Sequence, residues 1–296
     1  MNSFTVEIGL SVDFQVSIRK TYLNHAFVSG NKLSKLKYNI IEAKRQNKTT
    51  LVTFGGAFSN HIAAVAAVGK EYGFNTIGVI RGEELANKVS ENPTLSFAKE
   101  QGMRFQFVSR EVFRSKTSDL FIKELKDLFG DFYLIPEGGT NALAVKGCEE
   151  ILEEGDEVYD YICCPVGTGG TISGIINASF PHQRILGFPA LKGDFLQEEI
   201  SKFTNGKNWE LITDYHFGGY AKINPALITF INSFKKENNI PLDPVYTGKM
   251  LFGIQDLIAK GFFPKHSKIL VIHTGGLQGV EGMNTVLKKK NLPLIE

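Results

Sequence analysis

Short apolar runs rich in β-branched residues recur along the chain and end in Gly or Pro. They are TTLVTFGG from Thr49, NTIGVIRG from Asn75, RFQFVS from Arg104, DFYLIPEGG from Asp131, YDYICCPVGTGG from Tyr159, RILGFP from Arg184 and SKILVIHTGG from Ser267. Runs that stay apolar instead of alternating are the pattern of strands covered on both faces, as in a parallel sheet. Between them, apolar residues return at helical spacing in LSKLKYNIIEAKRQ, NHIAAVAAVGKEYG, DLFIKELKDLFG, NALAVKGCEEILEEG, PALITFINSFKKENN and TGKMLFGIQDLIAKGFF, most of them closed by Gly or Asn. Alternation of the two patterns predicts an α/β fold. No repeat, low-complexity tract or long Pro/Gly/Ser linker separates independent units. The expected architecture is two open, twisted α/β lobes with mostly parallel sheets sharing one cleft. The large lobe takes residues 1–35 and 133–296, and the small lobe residues 36–132.

Several of the predicted strands run into a Gly-rich turn that opens a helix: GGAFSN at 55–60, EGGTN at 137–141, GTGGT at 167–171 and HTGG at 273–276. Ligands of open α/β sheets sit beyond the carboxyl ends of the strands. The four turns are therefore expected to rim one cleft.

Composition narrows what that cleft binds. The chain has 296 residues, 43% hydrophobic and 22% charged, enough for two lobes with a large buried core. Lys and Arg number 33 against 31 Asp and Glu, a net charge of +2, which argues against a nucleic-acid or membrane surface and for a small substrate. Cys148, Cys163 and Cys164 lack metal-ligand spacing, and the adjacent pair would point to opposite faces of a strand, so they read as reduced core residues and no metal is expected. The start, MNSFTVEIGLSVDF, has no basic segment followed by a long apolar run, and no stretch reaches the roughly 18 apolar residues of a membrane span. A cytoplasmic protein is expected.

Three segments carry candidate chemistry. In GTGGTISG, Gly167, Gly169 and Gly170 allow close backbone approach, and the amides from Thr168 to Thr171 would open a helix: an anion site needing no counter-lysine, or a plain tight turn. A dinucleotide loop fits less well, because the G-x-G-x-x-G spacing is missing. In VSGNKLSKLKYNII, Lys32 follows a Gly-Asn turn at a helix start; such a lysine is either solvated or, with a depressed pKa, a Schiff-base former. Lys35 and Lys37 read as surface charges, although Lys35 lies one turn on and can face the same side. In GGAFSNHIAAVAAVG, Ser59 and Asn60 stand where an N-cap belongs, and the same groups could bind a carboxylate. His61 could line the cleft or face solvent.

In chain order, SGNKLSKLKYN, FSNH, RGEE with the later NPTL, IPEGGTN, GTGGTISG, FGGYAK, DPVYTGK and HTGG resemble the family of 1-aminocyclopropane-1-carboxylate deaminases and D-cysteine desulfhydrases, within the tryptophan-synthase-β-like (fold type II) pyridoxal 5′-phosphate (PLP) enzymes. The resemblance runs from about Ile18 to about Met283. It implies that Lys32 carries the PLP and that Gly167, Thr168, Gly169, Gly170 and Thr171 cradle its phosphate. It also implies that Ser59, Asn60 and His61 grip the substrate carboxylate, with Asn60 touching the cofactor as well and Ser59 a nucleophile or proton shuttle. Tyr246 would act on the substrate side of the cofactor, with Thr247 and Thr274 beside its ring. A homodimer is implied too.

Two positions bear on the reaction. Deaminases of the family resemble YEG where this chain has Tyr246, Thr247 and Gly248, and HLGG where it has HTGG; both positions look like the desulfhydrase type. A carboxylate beside the pyridine nitrogen would keep it protonated and deepen the electron sink that opening a cyclopropane ring demands. Thr247 offers only a neutral hydrogen bond, which suffices when a leaving group departs from Cβ. The expected reaction is therefore conversion of D-cysteine to pyruvate, ammonia and hydrogen sulfide. Deamination of 1-aminocyclopropane-1-carboxylate or a D-serine-like substrate, and PLP binding without catalysis, are the alternatives. Thr21, Tyr22, Ala26 and Ser34 depart from the family pattern and put the substrate pocket in question.

Overall fold

The computed structural model describes residues 4–10, 12–25, 27–28 and 30–296. Its strands are β1 (Thr5–Ile8), β2 (Gln15–Lys20), β3 (Thr50–Gly56), β4 (Asn75–Arg81), β5 (Arg104–Val108), β6 (Tyr133–Ile135), β7 (Tyr161–Val166), β8 (Arg184–Pro189), β9 (Trp209–Leu211) and β10 (Lys268–His273). Its α-helices are α1 (Asn31–Arg45), α2 (Asn60–Tyr72), α3 (Pro93–Glu100), α4 (Arg110–Arg114), α5 (Asp119–Phe129), α6 (Ala142–Glu149), α7 (Gly170–Ala178), α8 (Phe195–Ser201), α9 (Pro225–Asn238), α10 (Thr247–Ala259) and α11 (Gly279–Lys289).

The strands form two sheets. The smaller runs β5-β4-β3-β6, all parallel, and the larger runs β1-β2-β10-β7-β8-β9, parallel except for the β1–β2 pair. All seven apolar runs named above hold a strand. Their uniform apolarity has the expected cause: in β10, Ile269 and Val271 enter one core while Leu270 and Ile272 enter another on the opposite face. Cys163 and Cys164 of β7 divide the same way, and all three cysteines are buried and free.

Strand pairing carries the smaller sheet through Ile135, because Leu51, Val52 and Thr53 of β3 register with Tyr133, Leu134 and Ile135 of β6. Three strands carry no clear pattern in the sequence. β1 and β2 form an edge hairpin with polar residues interspersed, and β9 has three half-buried residues at the opposite edge. A buried Arg19 anchors the hairpin: its guanidinium donates to both carboxylate oxygens of Asp156, at 2.5 and 2.7 Å, and to Ile151 O at 2.9 Å. Among the described residues no helix is long and apolar enough to cross a membrane.

Candidate active site

Turns at the carboxyl ends of β3, β6, β7 and β10 meet in one cleft between the sheets. Lys32, Asn60, Gly138, Gly167, Thr168 and Thr274 are among its walls. The SGNK turn is seated on the HTGG turn. Gly30 has φ +67°, and a Cβ there would fall 1.9 Å from Thr274 O, so no other residue fits without moving the backbone. Asn31 N donates to the same carbonyl at 3.3 Å.

This seating aims the first turn of α1 into the cleft. Lys32 Nζ donates to Asn31 Oδ1 at 2.9 Å, and Asn31 Nδ2 donates to Thr171 Oγ1 at 2.7 Å. Burial, reinforced by the charge of Lys35, lowers the Lys32 amine to about 7. Near neutral pH it is thus divided between ammonium and free amine.

Lys35 corrects the surface assignment. It is 3% exposed and lies beneath the GTGGT turn, its Nζ donating to Gly138 O (2.8 Å), Thr140 Oγ1 (2.9 Å) and Thr168 Oγ1 (3.2 Å). The anion turn therefore does have a lysine under it. Lys37, in contrast, pairs with Glu150 at the surface, as a surface charge should. Above Lys35, α7 begins at Gly170 after Gly169 (φ +84°), with no side chain capping its first amides. A buried cation below and uncapped helix amides above make a site for a dianion.

The opposite wall is the start of α2. Ser59 Oγ accepts from Ile62 N at 3.4 Å, which leaves its own hydrogen for a ligand. Asn60 Oδ1 and His61 Nδ1 are buried with no hydrogen-bond partner. His61 is a lining residue, 2% exposed, and burial holds it well below the usual histidine range. Its Nε2 lies 2.8 Å from Thr53 Oγ1, whose proton goes to Ile135 O at 2.9 Å. His61 must then donate through Nε2, leaving Nδ1 a free acceptor.

Tyr246 sits across from Gly167, where a Cβ would fall 3.2 Å from its ring. Burial raises its hydroxyl well above 10, the neighbouring Tyr220 adding to the effect. Tyr220 is a cleft residue that sequence reasoning did not single out. Its ring is partly exposed and stands edge-on to that of Tyr246, with centroids 6.2 Å apart.

Thr274 lines the cleft, but Thr247 does not. The hydroxyl of Thr247 donates to Asp243 Oδ1 at 2.7 Å and accepts from Asp243 N at 3.0 Å, so it is turned into the wall. The departures Thr21, Tyr22 and Ser34 are also off the cleft lining: Thr21 donates to His273 O and Tyr22 packs on the His273 ring. Ala26 lies outside the described residues.

An amine near neutrality, a dianion site and two unpartnered buried acceptors, set at the mouths of parallel strands, fit PLP and define a cofactor-dependent α/β enzyme. A family model described as "Pyridoxal-phosphate dependent enzyme" matches residues 8–275, and the chain belongs to that family. Among curated relatives, the bifunctional D-cysteine desulfhydrase/1-aminocyclopropane-1-carboxylate deaminase, mitochondrial, of Arabidopsis thaliana is 29% identical, covering 92% of this chain and 75% of its own. The 1-aminocyclopropane-1-carboxylate deaminase of Bradyrhizobium sp. (strain ORS 278) is 28% identical over 86% and 84%. A crystal structure described as an ACC deaminase homologue superposes with TM-score 0.82 at 26% identity, over 97% of this chain and 94% of that one. The protein is a PLP enzyme of the deaminase-like type.

Proposed function

We propose that the enzyme removes the β-substituent of a small amino acid, with D-cysteine as the reference substrate: D-cysteine and water give pyruvate, ammonia and hydrogen sulfide. The observation that carries this reading is that, among the described residues, no carboxylate side chain lines the cleft. Bound PLP supplies an electron sink for the charge left at the substrate Cα. With no carboxylate in the lining to pair with a protonated ring nitrogen, and a neutral donor such as Thr274 there instead, that sink would be shallow. A good leaving group on Cβ, such as a thiolate, matches it better than a strained ring.

In this reading Lys32 would carry the cofactor, and its amine is the base suited to take the Cα proton, with a value near 7. Gly167, Thr168, Gly169, Gly170 and Thr171 hold the phosphate over Lys35. Ser59, Asn60 Nδ2 and the first amides of α2 would donate to the substrate carboxylate, while the His61 Nδ1 acceptor is left for a donor group of the ligand. Tyr246, kept protonated by burial, handles the proton of the departing group; Ser59 is the alternative carrier. Thr274, which lines the cleft while Thr247 is bonded to Asp243, would be the neutral donor on offer to the cofactor's ring.

A second reading, deamination of 1-aminocyclopropane-1-carboxylate, is favoured by the names of the relatives. Purified enzyme assayed on D-cysteine, D-serine and 1-aminocyclopropane-1-carboxylate separates them, with sulfide, pyruvate and 2-oxobutyrate followed. D-Cysteine is expected to lead in kcat/KM by about 100-fold, the scale on which a missing transition-state interaction discriminates. Equal or faster release of 2-oxobutyrate from the cyclic substrate would overturn the proposal.

We further propose that the two sheets are the cores of two domains, the smaller one running from residue 36 through Ile135, that they close on substrate, and that the protein is a cytoplasmic homodimer. Light scattering of the holoenzyme tests the last of these.

A further inference from the structure

One turn beyond Tyr246 on α10 stands Lys249, a lysine drawn wholly inside the protein at 2% exposure. No carboxylate forms an ion pair with it among the described residues. Its Nζ instead donates to two main-chain carbonyls, His216 O at 2.9 Å and Gly219 O at 2.8 Å. Burial pulls it down to about 8, with the charge of Asp243 opposing. Placing an ammonium group against carbonyls alone is unfavourable for the fold as such, so the segment it holds is the point of interest.

That segment, residues 216–221, has no helix or strand and is bent at almost every residue. Phe217, Gly218, Gly219 and Ala221 have φ of 55°, 92°, 114° and 55°. Two of these are not glycine and sit in a region that side chains disfavour, which persists only where surroundings impose it. Local turn bonds supply part of the restraint: Gly219 N donates to His216 O at 3.0 Å and Lys222 N to Gly219 O at 3.1 Å. Lys249 binds those same two carbonyls from the other side. Phe217 adds an edge-on ring contact with Phe252 of α10, at 5.1 Å. The result is that Tyr220, between the bent residues, has its ring edge-on to that of Tyr246 in the cleft.

We propose that Lys249 is a positioning residue: by gripping His216 O and Gly219 O from α10, it holds the 216–221 segment in its bent form and sets the Tyr220 ring against Tyr246. It touches neither substrate nor cofactor, and it acts through Tyr220. The proposal rests on the reading of Tyr246 as a substrate-side group, but the conformational half stands independently of which amino acid is turned over.

Lys249→Met keeps the stem and removes the donors. Hydrogen–deuterium exchange of PLP-loaded protein is expected to be faster in the peptide spanning 216–222 by about tenfold or more, with β7 and α7 peptides unchanged. In turnover, Lys249→Met is expected to lower kcat by about 10-fold or more at similar KM. Lys249→Met combined with Tyr220→Leu, which removes the ring, should be no slower than the slower single variant, as for groups acting in one unit. Should the methionine variant not fold, Lys249→Gln, which retains donors on a shorter stem, is measured the same way. Unchanged exchange in 216–222 overturns the proposal whatever the substrate. Multiplying losses in the double variant overturn the link to Tyr220. Failure to find a substrate overturns only the functional reading and leaves the exchange result to decide this one.

Discussion

Asn31 Nδ2 lies 2.7 Å from Thr171 Oγ1 while Asn31 Oδ1 accepts from Lys32, so one side chain couples the GTGGT turn to the Lys32 amine. Asn31→Asp would place a negative charge about one hydrogen bond from Lys32 Nζ. An opposite charge at that range favours the ammonium form and raises the pKa by roughly 1 unit or more. Only the free amine reacts with the PLP aldehyde. The rate at which apoprotein takes up PLP, followed by visible absorbance, is therefore expected to rise with pH through about 7 in the wild type and through a higher value in the variant. Coincident midpoints would show that Asn31 does not govern the amine.

Lys35 is the second lysine of the cleft, and its removal should be felt by the phosphate. Lys35→Met is expected to weaken PLP binding by about 10- to 100-fold, the loss of one charge-assisted contact to a dianion. Lys37→Met, which disturbs a surface pair with Glu150, should leave affinity unchanged. Fluorescence titration of apoprotein with PLP measures both.

The strands that build the cleft were legible because they are covered on both faces, and the turns at their ends because each needs glycine. Lys35 was partly legible: it stands three residues after Lys32, on the same helical face, but nothing in that spacing says whether the face meets solvent or the GTGGT turn. That depends on α6 and α7, far along the chain. The direction of the Thr247 hydroxyl was not legible for a different reason. The motif supplies its residue type, whereas its direction is set by Asp243, which accepts from the main-chain N of Val245, Tyr246 and Thr247 and captures the threonine hydroxyl as well. Tyr220 sits in a segment of positive φ without periodicity, so only the fold brings it to Tyr246.

Thr247 gives a direct check of this account. If the ring nitrogen were within its reach, Thr247→Glu would supply the carboxylate that ring opening needs. In the structure the new carboxylate would instead be buried against that of Asp243, an uncompensated charge costing about 3 kcal/mol or more. The variant is expected to melt roughly 5–10 °C lower and to gain no release of 2-oxobutyrate from 1-aminocyclopropane-1-carboxylate. A stable variant that gains this activity would place residue 247 at the cofactor.

The buried amines also set how apoprotein stability follows pH. Lys32 has an ordinary value of 10.5 in the unfolded chain and about 7 when folded; Lys249 falls to about 8, and Lys35 is lowered as well. Between those folded values and 10.5 the unfolded chain binds more protons, so stability must rise as pH increases across that window. Below it, both states are protonated and the full penalty of burial remains. Lys32 alone contributes on the order of 2 kcal/mol between pH 7 and 9, less an allowance for its open side of the cleft. Above about 10 the buried hydroxyl of Tyr246, raised by burial, opposes the trend, because the unfolded chain then loses protons first. Thermal midpoints of apoprotein are therefore expected to climb from pH 7 to 9, and to climb less steeply in Lys32→Met. PLP held on Lys32 should flatten the same curve in the holoenzyme, and a midpoint that falls over this range in apoprotein would mean that these lysines are not buried as amines.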